Sequence, residues 1–324
     1  MSDPEFIEDI YIVQLTEELD TKLRNIMKLK CNCCDGIYKS IDVFFTSKCD
    51  NRCRHCIDKL CQEKRIANGL SILYGKPDST NIAKTIIENS EKFEDVLFLG
   101  GEPLLYIKEL LDCIMQIKNN TNLKCYVTTS MPKTAAIDNN EILWKLLDVI
   151  DGMTISVQHH NEYIADEIRQ TTSKYDRHAF YKSIPNRFKK KIRIAANLVK
   201  KYFTSKDDVI NLVKTYENFG FSYFKLTELQ HAELDFVSFE DLFDIHMKSP
   251  YAYGCQTKID LSQYGIKHDI EVLLKRSCFL VEESRNASIA DGLKILYKKM
   301  FKCNNGMFML VDNIGNKHSS WILN

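Results

Sequence analysis

Three cysteines stand close together early in the chain, where their spacing could serve metal chemistry. Cys49, Cys53 and Cys56 form a C-x3-C-x2-C motif directly after a β-branched and aromatic segment that is typical of a strand. Three neighbouring thiolates suit an iron–sulfur cluster, which normally takes four ligands, so one iron would be left for a ligand outside the protein. A structural zinc ion is the alternative, with Cys61 or His55 as the fourth ligand.

A second element with chemical potential ends the next predicted strand. The sequence there is Gly100-Gly101-Glu102-Pro103. Paired glycines at a strand end let the backbone approach a ligand closely, and the adjacent carboxylate can hold an ammonium group. Such a turn is common by itself, but it is specific when it follows C-x3-C-x2-C by one strand–helix unit.

Six strand candidates alternate with helical segments and must position these residues. A helix after the glycine pair carries an apolar stripe at 107, 110, 111, 114 and 117, and another starts at Ser205 with Asp208 three residues later and ends near Gly220. The strand candidates are 41–45, 96–99, 124–128, 153–157, 192–199 and 223–227. This rhythm predicts an α/β fold with a parallel sheet, and right-handed crossovers would curl it into an open or partial barrel.

The alternation predicts three regions along the chain. Residues 1–38 form a helical, cysteine-rich segment, residues 39–235 form the barrel, and residues 236–324 form a small α+β extension. The extension should contain a helix near 290–299 and a terminal hairpin from Met307 to Leu323 that turns at 312–315. A cysteine loop at the carboxyl end of the first strand lies where barrel enzymes place their active sites.

The combination of C-x3-C-x2-C with Gly-Gly-Glu-Pro resembles the radical S-adenosylmethionine (SAM) superfamily over roughly residues 40–235. The resemblance implies a partial (β/α)6 barrel and a 4Fe–4S cluster on the three cysteines, with the open iron taking the amino and carboxylate groups of SAM. It implies that Gly100, Gly101 and Glu102 hold the methionine amino group and that His55 lies near the adenine. Further implied contacts follow the later strands, at Thr129, Ser130, Ser156, Gln158, Asn197 and Glu228. Each of these polar residues has a plainer alternative in turns and helix caps.

The resemblance also implies the chemistry. The reduced cluster passes one electron to SAM, and a 5′-deoxyadenosyl radical forms and takes a hydrogen atom from the substrate. The cluster and the cofactor carry this chemistry, so no side chain is assigned as an acid or a base. An external one-electron donor, flavodoxin-like or ferredoxin-like, is implied as a partner.

Nine cysteines lie outside the motif. Cys255, Cys278 and Cys303 are candidates for a second, auxiliary cluster like those of SPASM and Twitch extensions, although the close C-x2-C pair of those patterns is missing. Buried free thiols are the alternative. Two further groups, at 31, 33 and 34 and at 113 and 125, are interpreted as a structural turn and as core positions.

Composition limits the class of protein. The 44 basic and 44 acidic residues balance, so there is no long-range positive field for binding duplex nucleic acid. No apolar run reaches the length of a membrane span, and the start of the chain is acidic, unlike a signal peptide. We therefore expect a soluble cytoplasmic protein whose thiols stay reduced.

Three functions fit these observations. The first is a radical SAM enzyme that modifies a peptide. The second is a nucleotide-modifying enzyme resembling the GTP cyclase of molybdenum cofactor synthesis, which would make the substrate a small molecule. This chain departs from the cyclase in two ways: it lacks the terminal Gly-Gly of the cyclase, and it has Leu104-Leu105-Tyr106 where the cyclase has a basic residue. The third is a zinc-stabilised α/β module without enzyme activity.

Overall fold

The computed structural model describes residues 39–56, 58–59, 75–229, 235–243, 256–275 and 307–318. The predicted N-terminal segment 1–38 lies outside these residues, as does the predicted helix at 290–299. Cys61 and the candidate auxiliary ligands Cys255, Cys278 and Cys303 also lie outside them.

The described residues form one sheet whose strands follow the predicted rhythm. The strands are β1 (Lys39–Thr46), β2 (Asp95–Gly100), β3 (Lys124–Thr129), β4 (Gly152–Ser156), β5 (Ile192–Leu198), β6 (Tyr223–Glu228), β7 (Gln256–Ile259), β8 (Glu271–Lys275), β9 (Met307–Val311) and β10 (Lys317–His318). Their order is β10-β9-β1-β2-β3-β4-β5-β6-β8-β7. The six predicted strands are confirmed as β1 to β6, which pair in parallel.

The sheet is open, because its two edge strands, β10 and β7, do not pair with each other. The predicted partial barrel is therefore confirmed. The C-terminal strands add to both edges: β8 pairs in parallel with β6, and β9 pairs in parallel with β1. Two antiparallel pairs, β7 with β8 and β10 with β9, end the sheet. The division at residue 236 stays a prediction, and the described parts of the extension belong to the same sheet as the barrel strands.

Helices follow the strands in the expected alternation. They are α1 (Ser79–Ile87), α2 (Ile107–Asn120), α3 (Asn140–Val149), α4 (Glu162–Arg169), α5 (Arg177–Ser183), α6 (Asn186–Lys189), α7 (Lys206–Asn218) and α8 (Phe239–Phe243). The predicted capping box of α7 is present, with Asp208 receiving the backbone N–H of Ser205 at 3.1 Å. Gly220, which follows this helix, has a φ of +92°.

One face of the sheet packs against the helices and forms the core. Alternate strand residues such as Val96, Phe98, Val127, Ile194 and Leu226 are fully or almost fully buried there. The predicted stripe of α2 faces this core, with only its member at 111 half-buried. The predicted core cysteines at 113 and 125 are buried as well. Burial of this helix-covered face is the main source of stability, since apolar burial is the dominant favourable contribution to folding.

The opposite face of the sheet, which we call the open face, carries the other half of each strand. Register joins its side chains into rows across the strands: Ser156 with Ala195, Ala195 with Lys225, and Lys225 with Leu273. One row nearer the carboxyl ends, Asn197 pairs with Thr227 and Thr227 with Lys275. These residues are half-buried and mostly polar. The open face of β1 to β6 and β8 is thus the surface of the sheet that is available to a ligand.

The β9–β10 hairpin is held against α1 through its turn. The predicted turn at 312–315 is confirmed, with Asp312 Oδ1 accepting from the backbone N–H groups of Ile314 and Asn316 at 3.1 and 2.8 Å. Thr85 Oγ1 donates to the carbonyl of Gly315 at 2.8 Å. These bonds fix β9 beside β1, the strand that leads into the cysteine loop.

None of the helices in the described parts of the chain combines the length and the apolar composition that crossing a bilayer requires.

Replacement of Leu146 by alanine tests the helix-covered core. Leu146 lies on α3 with no exposed surface, so Leu146→Ala removes buried methyl groups and leaves a cavity. We expect the free energy of unfolding to fall by about 2–5 kcal/mol in urea titrations. The neighbouring Lys145 on the same helix is exposed, and Lys145→Ala should change it by less than about 0.5 kcal/mol. Equal effects of the two substitutions would contradict the assignment of the buried face.

Candidate active site

The cysteine motif forms a loop at the carboxyl end of β1. The thiol of Cys49 is exposed, while those of Cys53 and Cys56 are half-buried, and all three are free. The backbone N–H of Cys56 donates to the carbonyl of Cys53 at 3.2 Å, which turns the chain between these two residues. The backbone N–H of Asn51 donates to Cys49 Sγ at 3.4 Å. The loop thus presents three thiols around one short turn.

The protein alone does not favour thiolates in this loop. Burial raises the pKa of all three thiols, although Cys49 remains accessible from one side. The Glu102 carboxylate raises the pKa of Cys49 further, and the neighbouring Cys56 contributes to raising that of Cys53 to about 11. Thiolates in such a place need a positive partner, which the irons of a cluster supply. The donor set therefore fits a cluster.

Zinc is the alternative occupant of the cysteine loop. No three His, Cys, Asp or Glu side chains among the described residues converge on a position for a single metal ion. A zinc site needs four ligands around one ion, whereas the cysteines of a 4Fe–4S cluster bind different irons and stand further apart. His55, the candidate fourth zinc ligand within the described loop, does not complete such a set.

The Gly-Gly-Glu element lies directly against the cysteine loop. The backbone N–H of Gly101 donates to the carbonyl of Thr46 at 2.6 Å, and that of Glu102 donates to the carbonyl of Lys48 at 2.8 Å. A Cβ on Gly101 would lie 2.5 Å from the carbonyl oxygen of Lys48 and 2.7 Å from that of Ser47. Gly100 has a φ of +125°, in the region that side chains other than glycine rarely adopt. Both glycines are required by this close approach.

Glu102 is buried and joins the ends of β2 and β3. Its Oε1 accepts from the backbone N–H of Leu104 at 3.0 Å and from Thr129 Oγ1 at 2.7 Å. Its Oε2 accepts from the backbone N–H and the Oγ of Ser130 at 2.7 and 2.6 Å. Burial raises the pKa of Glu102, and these four hydrogen bonds oppose that rise. The structure therefore brings the predicted residues Glu102, Thr129 and Ser130 together in one network.

Asn51 extends this network into the cysteine loop. Its Nδ2 donates to Ser130 Oγ at 2.7 Å, so a residue between Cys49 and Cys53 is connected to Glu102 through one hydroxyl. The Oδ1 of Asn51 is buried and has no hydrogen-bond partner among the described residues. Sequence reasoning missed Asn51, although its position inside the cysteine motif was a signal.

The other side of the loop is held by the end of α4. The backbone N–H of Arg52 donates to the carbonyl of Arg169 at 2.8 Å, and Cys53 Sγ lies 3.9 Å from the same oxygen. The backbone N–H of Thr172 donates to the carbonyl of Asp50 at 3.5 Å. The loop is therefore fixed between α4 and the ends of β2 and β3.

Two buried arginines, both missed from the sequence, surround this anchor. Arg169 and Arg177 are each 2% exposed and share the carboxylate of Asp166, at 3.5 and 3.0 Å. Arg169 also donates to the carbonyl of Val157 at the end of β4. Burial raises the pKa of Asp50, while these two guanidinium groups lower it. They lie on helices, so no strand-end pattern could have identified them.

The remaining predicted site residues are spread along the carboxyl ends of later strands. Ser156 and Asn197 lie on the open face. Gln158 has a φ of +70°, and its buried Oε1 has no partner among the described residues. Burial lowers the pKa of His55, and Asp235 partly offsets this. The cofactor contacts of all of these residues stay predictions.

Glu228 requires a correction. The resemblance implies a cofactor contact for Glu228, as for Asn197, but Glu228 is fully buried in line with Phe224 and Leu226, on the helix-covered face. Its Oε1 accepts from the backbone N–H of Phe239 at 2.9 Å. The residue therefore organises the start of α8.

An open cavity lies at the other end of the strands. It has a volume of about 560 Å³ and is lined by the amino ends of β2 to β6 and β8, including Tyr126, Arg193 and Glu271. This cavity is remote from the cysteine loop in the direction of the strands. The cavity shows that solvent can reach the open face at the amino ends of these strands.

Gly101→Ala tests the close approach of the two elements. The added Cβ would meet the backbone carbonyls of Lys48 and Ser47, so the cysteine loop must shift. We expect a loss of about 1–3 kcal/mol in the free energy of unfolding and a lower iron content after anaerobic reconstitution. At Gly75, a Cβ meets only Asn313 Nδ2 at 3.4 Å, so Gly75→Ala is the matched control. Wild-type iron content in Gly101→Ala would contradict the proposed packing.

Ser130→Ala tests the network around the buried carboxylate. The substitution removes the hydroxyl that donates to Glu102 and accepts from Asn51, and it keeps the backbone bond. We expect a cost of about 1–3 kcal/mol in urea unfolding. Ser130→Thr, which keeps the hydroxyl, should recover most of this loss. If Ser130→Ala unfolds like the wild type, the network does not stabilise the site.

A sequence-family model described as a 4Fe-4S single cluster domain matches residues 36–177 of the chain. This range contains the cysteine loop, the Gly-Gly-Glu element and both buried arginines. No curated protein sequence matches the chain significantly.

Solved structures of SuiB from Streptococcus suis share the fold. The crystal structure of SuiB matches with a TM-score of 0.52 and 16% identity, over 96% of this chain and 70% of that one. SuiB bound to the precursor peptide SuiA gives a TM-score of 0.53 at 16% identity, over 93% and 64%. SuiB bound to S-adenosylmethionine gives 0.50 at 17% identity, over 93% and 62%. The chain therefore spans about two thirds of the length of these structures.

The match to the cluster domain places an iron–sulfur site on the segment that holds the three cysteines. The open parallel sheet and the likeness to SuiB establish the partial barrel around that segment. The chain therefore carries a segment that matches a 4Fe-4S single cluster domain, within a fold that it shares with SuiB, a protein that has been solved with S-adenosylmethionine bound.

Proposed function

We propose that this enzyme cleaves SAM reductively and uses the resulting 5′-deoxyadenosyl radical to modify a peptide. The observation that carries the proposal is the packing of the Gly-Gly-Glu element on the cysteine loop, through two backbone hydrogen bonds and the Asn51–Ser130–Glu102 connection. This packing puts the cysteine ligands and the predicted methionine-binding residues in one place.

Cys49, Cys53 and Cys56 would hold the cluster. One-electron reduction of SAM is the chemistry that the bound cluster would supply, and abstraction of a hydrogen atom from an unreactive carbon of the substrate is the chemistry that SAM would supply. The protein's own part is to position the reactants, because backbone geometry that is fixed in advance lowers the entropic cost of bringing them together. The loop is held in advance by the ends of β2 and β3 on one side and by α4 on the other.

Other residues would place SAM. Gly100, Gly101 and Glu102 would receive its amino group, with Thr129 and Ser130 as neighbours that keep the carboxylate in position. Ser156, Gln158 and Asn197 would contact the ribose side along the carboxyl ends of β4 and β5, and His55 would lie near the adenine. The unpaired buried Oε1 of Gln158 supports this assignment, because a buried acceptor without a partner gains from a ligand donor.

A peptide is the substrate that the fold favours. SuiB, which shares this fold, is known in complex with the precursor peptide SuiA. The open face offers a long polar surface beside the site, which suits an extended chain. A flavodoxin-like or ferredoxin-like donor would deliver the electron near the exposed Cys49. Cys255, Cys278 and Cys303 remain the proposed ligands of an auxiliary cluster, and a reducing cytoplasm suits both clusters.

Cys53→Ala tests this function. With dithionite and SAM under anaerobic conditions, the reconstituted wild type should form 5′-deoxyadenosine, and Cys53→Ala should not, because a cluster ligand is lost. Cys113→Ala, which removes a buried thiol of α2, should keep the activity. Iron analysis should give about four irons per chain for one cluster and about eight for two. Zinc without iron, or unchanged activity in Cys53→Ala, would refute the proposal.

A further inference from the structure

Met131, which follows β3 and Ser130, has a backbone conformation that its side chain disfavours. Its φ is +58°, in the left-handed region, and it is one of three such residues other than glycine in the described parts of the chain. The residue is also fully buried. A strained conformation of this kind persists only where the surrounding structure holds it, and such conformations cluster at functional sites.

Two hydrogen bonds hold the backbone of Met131. Its N–H donates to Thr129 Oγ1 at 2.8 Å, and its carbonyl accepts from the hydroxyl of Tyr175 at 2.7 Å. The first bond is local to the turn. The second comes from a residue 44 positions away in the chain, so it fixes the turn against another part of the fold.

The turn at Met131 is continuous with the hydrogen-bond network of Glu102. Ser130, directly before the turn, donates to Glu102 through its N–H and its hydroxyl and accepts from Asn51 of the cysteine loop. The hydroxyl of Thr129 accepts from Met131 and donates to the same carboxylate. A change in the backbone of Met131 would therefore move donors of the carboxylate and the connection to the cysteine loop.

Tyr175 reaches this turn from the other side of the cysteine loop. It lies between α4 and α5, in the segment whose Thr172 donates through its backbone N–H to the carbonyl of Asp50 at 3.5 Å. Its ring packs edge-on against Phe180, with centroids 6.2 Å apart, and lies 4.6 Å from the guanidinium of Arg177. Burial raises the pKa of Tyr175, so its hydroxyl keeps the proton that it donates. Tyr175 thus connects the two sides that hold the loop.

We propose that Tyr175 is a positioning residue of the site, which acts by holding the carbonyl of Met131. This hydrogen bond keeps Ser130 directed at both Glu102 and Asn51 before any cofactor binds. Without the hydroxyl the strained turn relaxes toward an ordinary φ, and Ser130 leaves the position that the network requires. This inference rests on the proposed function, because the methionine part of SAM is proposed to lie at this network. Tyr175 acts on SAM binding through the turn and not by contact with SAM.

Tyr175→Phe removes the hydroxyl and keeps the ring contacts with Phe180 and Arg177. SAM affinity is measured by isothermal titration calorimetry on the anaerobically reconstituted protein with its cluster oxidised, so that no SAM is cleaved. We expect the Kd for SAM to rise about three- to tenfold, which corresponds to the loss of one hydrogen bond. Tyr202→Phe is the matched control: it removes a hydroxyl that donates to the exposed Glu167 at 2.9 Å, and it should leave the Kd unchanged.

Substitutions at Met131 separate backbone strain from loss of the side chain. Met131→Gly and Met131→Ala both remove the buried side chain, but only glycine adopts a φ of +58° readily. In the Met131→Gly background, Tyr175→Phe should therefore raise the Kd less than about twofold. In the Met131→Ala background it should keep its full effect of about three- to tenfold. Equal effects of Tyr175→Phe in the two backgrounds would overturn the inference.

Amide hydrogen exchange tests the same hydrogen bond without iron or SAM. The amides of Ser130 and Met131 are both bonded in the network, and they should exchange at least about fivefold faster in Tyr175→Phe than in the wild type or in Tyr202→Phe. Exchange at the wild-type rate, or an unchanged Kd for SAM, overturns the inference whether or not the Met131 variants fold. 5′-Deoxyadenosine formation is measured in the same preparations. A wild type that binds no SAM refutes the proposed function, and the exchange rates still decide the role of Tyr175.

Discussion

The buried carboxylate of Glu102 is the group around which the site is organised. A carboxylate without water needs its oxygens occupied, and here two hydroxyls and two backbone N–H groups occupy them. Those donors come from the end of β3 and from the segments that follow β2 and β3. Hydrogen bonding to this one carboxylate therefore aligns the ends of the two strands. Ser130 also accepts a hydrogen bond from Asn51, so the carboxylate of Glu102 is connected to the cysteine loop. A local electrostatic requirement thus helps to position the loop that carries the three cysteines.

A second constraint on the site is steric. Gly101 has no room for a Cβ against the backbone after β1, and the direct hydrogen bonds from the Gly-Gly-Glu element to this segment are main-chain bonds. Main-chain contacts are insensitive to most side-chain changes. The backbone carbonyl of Arg169, at the end of α4, holds the opposite side of the loop. Together these contacts let a loop that contains no regular structure of its own keep a defined position.

Much of this architecture could be predicted from the sequence. The β-branched runs and the 3–4 spacing of Ile107 and its neighbours depend on local periodicity, which a single sequence displays. Strand parity also separates the two faces, and it would have placed Glu228 with Phe224 and Leu226 rather than at the rim. The roles of Arg169 and Arg177 could not be predicted, because they depend on how α4 and α5 return to the cysteine loop. The pairing of β8 with β6 and of β9 with β1 depends on partners distant in the chain, for which local sequence holds no signal.

The position of β9 has a consequence for how the enzyme is made. Lys39 pairs with Met307, so the strand that leads into the cysteine loop gains its outer neighbour only from the last part of the chain. Contacts of such long sequence separation form late in folding and only after that part has left the ribosome. Until then β1 presents a bare edge, which is prone to wrong pairing. We therefore expect β1, and the cysteine loop that follows it, to reach full order only after residues 307–311 have been synthesised.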